Sequence, residues 1–195
     1  MNERALSLIN DTWPIVVISS IVAISLRLTY LKLAKRKINY ADEFLKLVFI
    51  IYILCLFQIV TYQDVSIGGM NLIPFKEIFR YNFGSDLFFE NVIGNMALFI
   101  PYGIFIAKVF KDCKVIYPLF LSFIASLAIE LTQLSIGRVF DVDDVILNVI
   151  GAVVGYYLYK LFTKIKKEDF LKKYDILLDI LFILLVGGLI WLLIA

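Results

Sequence analysis

The chain contains six apolar runs that are each long enough to cross a bilayer, and these runs constrain its fold more than any other feature. A transmembrane helix needs about 20 mainly apolar residues. Hydrophobic residues make up 62% of the sequence, whereas a soluble domain is about half apolar. We therefore predict an all-α, polytopic transmembrane helix bundle, multi-pass in the plasma membrane, with spans near Trp13–Leu33, Phe44–Tyr62, Leu87–Ala107, Val115–Ile136, Val145–Thr163 and Ile176–Ala195.

Lysine and arginine concentrate in alternate loops, which predicts the orientation of the bundle. Cytoplasmic loops carry the excess of basic residues. The first, third and fifth loops hold Lys32, Lys35, Arg36 and Lys37, then Lys108, Lys111 and Lys114, then six lysines from Lys160 to Lys173. The N-terminus and the other loops hold only Arg4, Lys76, Arg80 and Arg138. Both termini are thus expected outside. Arg27, inside the first span, is expected to extend its charge to the cytoplasmic interface.

Several classes of function are excluded by composition. The chain has no histidine, which removes His-based catalysis and His-ligated metal sites. A net charge of +2 gives no indication of a nucleic-acid partner. Cys55 and Cys113 match neither a zinc site nor a disulfide framework, and we interpret them as structural thiols. No internal repeat or linker is visible, so we predict one domain over residues 1–195, without metal or cofactor.

Polar side chains follow one face of each of three predicted spans. Residues three or four apart share a helical face. The three sets are Asn91 and Asn95, then Ser122, Ser126, Glu130 and Gln133, then Asp144, Asn148, Gly151 and Gly155. At about 1.5 Å per residue, Asn148, Glu130 and Asn95 lie roughly 6, 9 and 12 Å below the outer ends of their spans. Because polar groups facing lipid are costly, these sets predict a shared polar cavity in the outer leaflet.

Each of these residues also has a structural interpretation. Gly151 and Gly155 are typical of close helix packing, which we favour. Ser122 and Ser126 can bond their own helix backbone, and the asparagines can link helices. Between the fourth and fifth spans stand Arg138, Asp141, Asp143 and Asp144. One of these aspartates is expected to cap the fifth span, and Glu130 either pairs with Arg138 or contributes to a site.

The second loop, from Gln63 to Asp86, is rich in aromatic residues. Asn71-Leu72-Ile73-Pro74-Phe75 breaks the chain, and the apolar residues that follow, Phe75, Ile78, Phe79 and Phe83, recur at helical spacing. This pattern predicts a short amphipathic helix in the membrane interface. It would act either as an anchor or as a gate over the proposed cavity.

These motifs resemble the VanZ-like family of bacterial membrane proteins over roughly Val48 to Tyr159, a core of about residues 48–159 between added first and sixth spans. The matching pieces are Asn71-Leu72-Ile73-Pro74-Phe75, Asn91-x-x-Gly94-Asn95, Pro101-Tyr102-Gly103, Glu130-x-x-Gln133, and Gly137-Arg138-x-Phe140-Asp141-x-Asp143-Asp144-x-x-x-Asn148-x-x-Gly151-x-x-x-Gly155. The resemblance implies a protein of the bacterial cell envelope associated with resistance to teicoplanin and related lipoglycopeptides.

Two functional hypotheses and one structural hypothesis follow. In the first, the cavity binds a membrane lipid, a lipid-linked cell-wall precursor or a lipoglycopeptide, with Arg138 pairing an anionic group. The other ligand-binding residues would be Asn91, Asn95, Glu130, Gln133, Asp141, Asp143, Asp144 and Asn148. In the second, Glu130 and Asp144 are an acid/base pair of an enzyme, or the three aspartates hold a divalent cation. In the third, these polar groups only satisfy one another.

Overall fold

A computed structural model describes residues 3–35, 40–61, 69–110 and 113–166. The helices are α1 (Glu3–Leu33), α2 (Tyr40–Thr61), α3 (Asp86–Val109, with a π-helical turn at Phe89–Ile93), α4 (Ile116–Ser135) and α5 (Val142–Lys166). Two short strands, β1 (Gly69–Asn71) and β2 (Val139–Asp141), form the sheet. The chain divides into two compact units, one with the described residues up to Thr61 and one with those from Gly69 onwards.

Four of the described helices are long and apolar enough to cross a membrane. They are Trp13–Leu33, Asp86–Val109, Ile116–Ser135 and Val142–Ile165. The predicted second span coincides with α2, a continuous helix of 22 residues, and the predicted sixth span, Ile176–Ala195, lies outside the described residues. The all-α polytopic bundle is confirmed, while the number of spans and their orientation stay predictions.

The first unit is held by an ion pair between its two helices. The Arg27 guanidinium donates to both carboxylate oxygens of Glu43, with Nε–Oε2 and Nη2–Oε1 distances of 2.8 and 3.1 Å. Lys46 donates to the same carboxylate at 2.6 Å. A planar guanidinium pairs with a carboxylate through two parallel hydrogen bonds. The structure joins Arg27 to α2, and its expected reach to the cytoplasmic interface stays a prediction.

Close packing of α3 on α5 organises the second unit, and these two helices share its most extensive contact. Three glycines allow this approach. A Cβ on Gly151 would overlap the carbonyl oxygen of Met96, and one on Gly155 would overlap that of Ile100. In the opposite direction, a Cβ on Gly103 would overlap the carbonyl oxygen of Ala152. Small residues that bring backbones together are typical of membrane helix interfaces, so the packing prediction for Gly151 and Gly155 is confirmed.

Helix α4 turns its polar face inward and its apolar face outward. The buried residues of α4 are Pro118, Ser122, Ser126, Glu130 and Gln133. Exposed apolar side chains cover the other faces, among them Phe120, Phe123, Ile124 and Leu131. In a bilayer the exposed faces meet lipid, so this arrangement places the polar stripe in the interior of the protein. The predicted common polar face therefore exists along α4.

The chain reverses sharply after α4. Gly137 has φ 86°, a left-handed conformation that favours glycine. The N–H of Gly137 donates to the Leu134 carbonyl at 3.1 Å, and that of Arg138 to the Gln133 carbonyl at 2.9 Å. These two bonds form a Schellman motif, which satisfies carbonyl groups at a helix end. Strand β2 then runs back alongside the last turns of α4.

Hydrogen bonds at both ends of α5 show how far the beginning of α5 lies below the ends of the neighbouring helices α3 and α4. Asp141, just before α5, bonds Glu130, which lies five residues before the end of α4. Asp144 bonds Asn95, nine residues after the beginning of α3. At about 1.5 Å per residue, these contacts place the beginning of α5 roughly 8–13 Å below the ends of its neighbours. Further along α5, the Tyr156 hydroxyl donates to the Cys113 carbonyl just before α4, in agreement with this offset.

This offset corrects the depths expected from the apolar runs alone. Asp144 lies at the level of Asn95, so Asn148 is about one turn deeper than Asn95. The sequence placed Asn148 above Asn95, because counting began at the first apolar residue of each run. The chain between α4 and α5 therefore returns alongside the last turns of α4 before α5 begins.

Strand β1 lies parallel to β2, with Gly69, Met70 and Asn71 paired to Val139, Phe140 and Asp141. The segment from Leu72 to Tyr81 follows as turns and one 3₁₀ turn, Ile78–Arg80. The amphipathic helix expected here is thus reduced to a single turn. The pairing carries β1 to the same depth as Asp141.

We expect Gly151→Ala to destabilise the second unit by about 1–3 kcal/mol or more, because the added methyl group must push apart two backbones. Thermal unfolding in detergent measures this loss. Gly94→Ala is the matched control, since a Cβ there meets its nearest atom, the Phe89 carbonyl oxygen, at an ordinary 3.6 Å. Equal stability of the two variants would contradict the packing.

Candidate functional site

Glu130 is a buried acid that binds the backbone of the segment between α4 and α5. Its side chain is 1% exposed, and its Oε2 accepts a hydrogen bond from the Asp141 N–H at 2.9 Å. A backbone N–H that is turned away from water needs a hydrogen-bond partner inside the protein, and Glu130 supplies one to Asp141. The charge of Arg138 acts on both Glu130 and Asp144, so Arg138 is an electrostatic neighbour of both acids.

Asp141 caps α5 and fastens β1 to it. Its Oδ1 accepts from the Asp143 N–H and from the Asn71 side-chain amide, each at 2.9 Å. A carboxylate that accepts from the second helical N–H is a typical helix N-cap. Burial raises the pKa of the Asp141 carboxyl, and the same two hydrogen bonds oppose that rise. The expectation that one aspartate caps the fifth span is confirmed, and that aspartate is Asp141.

Asp143 holds the segment after β1 through three backbone groups. Its Oδ1 accepts from the Phe75 N–H at 2.5 Å, and its Oδ2 from those of Glu77 and Ile78 at 2.7 and 3.2 Å. The side chain is 1% exposed. We call this contact the Asp143 clamp. It joins two parts of the chain that are 65–68 residues apart.

Asp144 and Asn148 continue the polar face of α5 towards its neighbours. The Asn95 amide donates to Asp144 Oδ1 at 2.5 Å, which links α3 to α5. The buried Asn148 amide donates to Ser126 Oγ at 2.8 Å, which links α5 to α4. Asn148 Oδ1 is buried without a hydrogen-bond partner among the described residues. The three predicted polar faces therefore do meet.

Two of the residues predicted for the site, Asn91 and Gln133, make contacts to the backbone near the end of their own helix. The Asn91 amide donates to the Leu87 carbonyl of its own helix at 2.8 Å, so it serves the π-helical turn. Gln133 is buried, and its backbone carbonyl accepts in the Schellman motif. The structure thus joins Asn95, Glu130, Arg138, Asp141, Asp143, Asp144 and Asn148, while ligand binding by any of them stays a prediction.

Accessibility separates these residues into two groups. Glu130, Asp143 and Asn148 are buried, whereas Asn95, Arg138, Asp141 and Asp144 are partly exposed. Tyr81, also partly exposed, lies where the charges of Asp144 and Asp141 act on its hydroxyl, and burial is the main cause that raises its pKa. We call Tyr81, Asn95, Arg138 and Asp144 the polar rim. Sequence reasoning missed Tyr81, because the contacts that hold its segment, the β1–β2 pairing and the Asp143 clamp, join parts of the chain that are distant in sequence.

The three aspartates do not converge on one point. Asp141 accepts from Asn71, Asp143 from the clamped segment and Asp144 from Asn95. Among the residues that the structure describes, no three His, Cys, Asp or Glu side chains are grouped so that they could hold a metal ion. Cys55 and Cys113 are both free thiols. The geometry therefore gives the divalent-cation hypothesis no support.

Comparison with known proteins agrees with this architecture. The VanZ/LLP1 family profile matches residues 44–163, which include the sheet, the clamp and the rim. The chain is an α-helical membrane protein and belongs to the VanZ/LLP1 family. It is similar to Protein VanZ of Enterococcus faecium, with 31% identity over 99 residues, 50% of this chain and 61% of that protein. No solved structure matches the chain.

We expect Asp143→Asn to release the clamped segment, because the new amide group replaces an acceptor that faces backbone N–H groups. A buried donor without a partner costs about 1–3 kcal/mol, so amide hydrogen exchange at residues 75, 77 and 78 should become about tenfold faster or more. Asp86→Asn, at an exposed acid in the first turn of α3, is the matched control. Unchanged protection in folded Asp143→Asn protein would refute the clamp.

Proposed function

We propose that the protein binds the polar head group of a lipid-linked molecule at the polar rim, on the outer face of the membrane. The partial exposure of Arg138 and Asp144 beside the hydrogen-bonded acids Glu130, Asp141 and Asp143 is the observation that carries this proposal. Glu130, Asp141 and Asp143 each accept a backbone N–H, whereas Asp144 accepts from a side chain, that of Asn95.

The rim combines groups of complementary chemistry. Arg138 supplies a cation suited to a phosphate or carboxylate, which guanidinium groups bind through paired hydrogen bonds. Asp144 accepts, Asn95 can donate and accept, and the Tyr81 hydroxyl can do either. A sugar or peptide amide offers the partners that these groups need. A wall-precursor lipid or a lipoglycopeptide has such a head group together with an apolar chain.

Family membership supports a role outside the cell. The basic-loop pattern predicts that the rim faces outwards, where lipoglycopeptides meet their targets. The VanZ-like family is associated with teicoplanin resistance, and the chain spans 61% of the length of Protein VanZ of Enterococcus faecium. We propose that occupation of the rim by a lipid-linked head group or by the antibiotic lowers teicoplanin susceptibility.

The enzymatic alternative has less support from the geometry. Glu130, the proposed acid/base residue, is 1% exposed and already accepts the Asp141 N–H. A general base must lie within hydrogen-bond reach of the substrate proton. Asp144, the other carboxylate proposed for that role, is partly exposed and accepts from the Asn95 amide.

Lipids retained by the purified protein provide the first test. We expect mass spectrometry to find a lipid-linked species enriched over a control membrane protein. Arg138→Ala and Asp144→Asn should each reduce its amount about tenfold or more, since a hydrogen bond to a charged group contributes about 1.5–3 kcal/mol. Lys164→Ala and Asp86→Asn, at exposed positions outside the rim, are the matched controls. Absence of enrichment in the unmodified protein would sink the proposal.

Susceptibility of cells provides the second test. Expression in a teicoplanin-sensitive host should lower its susceptibility, and Arg138→Ala or Asp144→Asn should return it to that of the host alone at equal membrane level. Arg138→Lys should retain part of the effect, because it keeps the charge without the paired donors. Full protection by both rim variants would favour the structural hypothesis.

A further inference from the structure

The segment between β1 and α3 carries an unusual set of exposed apolar side chains. Leu72, Ile73, Phe79 and Phe83 are 62%, 63%, 81% and 91% exposed. Apolar side chains this large and this close together rarely stand in water as one group. They are continuous with Leu87 and Phe89, which are exposed on the first turns of the candidate span α3.

The depth of this segment follows from its backbone contacts. Asn71 pairs with Asp141, and Asp141 lies at the level of Glu130, about 8 Å below the end of α4. The Asp143 clamp then fixes Phe75, Glu77 and Ile78 against the beginning of α5. From there the chain rises to Asp86, where α3 begins.

We propose that Leu72–Phe83 is a re-entrant membrane segment whose apolar side chains contact the acyl chains of one leaflet. Its deepest residues, Leu72 and Ile73, lie beside the pair Asn71–Asp141, and Phe83 lies near the membrane surface. The backbone of such a segment must be bonded to protein at that depth, and the Asp143 clamp and the β1–β2 pairing meet this requirement.

The charged side chains of this segment support lipid as the partner of its apolar side chains. The polar side chains of the rising part, Glu77 and Arg80, pair with each other at 2.9 Å, which lowers the cost of their approach to the membrane surface. Lys76 is exposed among the apolar residues and can extend its ammonium group towards lipid phosphates. A loop lying on the membrane surface would place Ile73 and Phe83 at equal depth, whereas a re-entrant segment separates them.

Fluorescence quenching by brominated lipids tests this difference. Trp13 and Trp191 are first replaced by Phe, and single tryptophans are placed at Ile73 and Phe83. Leu131→Trp and Ile136→Trp are the references, because both side chains are exposed. Leu131 lies on α4 beside Glu130, and Ile136 lies just beyond Ser135, where α4 ends. The full chain is reconstituted in phosphatidylcholine and phosphatidylglycerol vesicles with bromines near the head group, at mid-chain or near the chain end.

We expect Ile73→Trp to lose as much fluorescence to mid-chain bromines as Leu131→Trp does. Phe83→Trp should follow Ile136→Trp, with its largest loss to the shallow bromines. Quenching of Ile73→Trp by aqueous acrylamide, or a depth no greater than that of Ile136→Trp, would overturn the proposal. Leu72→Trp is the second probe of the deep position if Ile73→Trp does not fold. None of these outcomes depends on a ligand at the polar rim.

Discussion

Backbone N–H groups below the membrane surface need partners within the protein, and the second unit is built around this requirement. Two segments interrupt its helices, one around β1 and one around β2. Three acids supply much of the bonding: Glu130 accepts the Asp141 N–H, Asp141 caps α5, and Asp143 accepts three N–H groups of the clamped segment. A buried acid costs free energy unless it is hydrogen-bonded. The acids therefore need the N–H groups of the two non-helical segments, and those N–H groups need the acids.

This dependence explains why one short stretch of sequence holds so much charge. Asp141 and Asp143 fix β1 and the segment that follows it, both distant in sequence, to the beginning of α5. The remaining charged residues, Arg138 and Asp144, stay partly exposed beside Tyr81 and Asn95. The Asp143 clamp holds residues 75, 77 and 78, shortly before Tyr81, so a loosened segment would also disperse the polar rim.

Periodicity predicted the parts of the fold that depend on helical faces. The Gly151/Gly155 packing and the inward stripe of α4 follow from residues three or four apart. The clamp could not be predicted, since its partners are 65–68 residues away and are backbone groups. The helix expected at Phe75–Phe83 is reduced to the turn Ile78–Arg80, because Phe75 has φ 66°, outside the helical region. Hydropathy likewise did not predict that α5 begins below the ends of α3 and α4, because an apolar run gives the length of a helix and not its position relative to its neighbours.

A disulfide that replaces the Asp143 clamp tests most directly whether the segment bound by Asp143, residues 75–78, must be held in place for the polar rim to form. Gly69 and Val139 are paired across β1 and β2, and strands about 4.8 Å apart suit the roughly 4.4–6.8 Å Cα separation of a disulfide. In a chain without Cys55 and Cys113, Asp143→Ala should lose the retained lipid. Added Gly69→Cys and Val139→Cys should restore it when oxidised and lose it again with reductant. Full retention by Asp143→Ala alone, or no recovery once the disulfide has formed, would contradict the account.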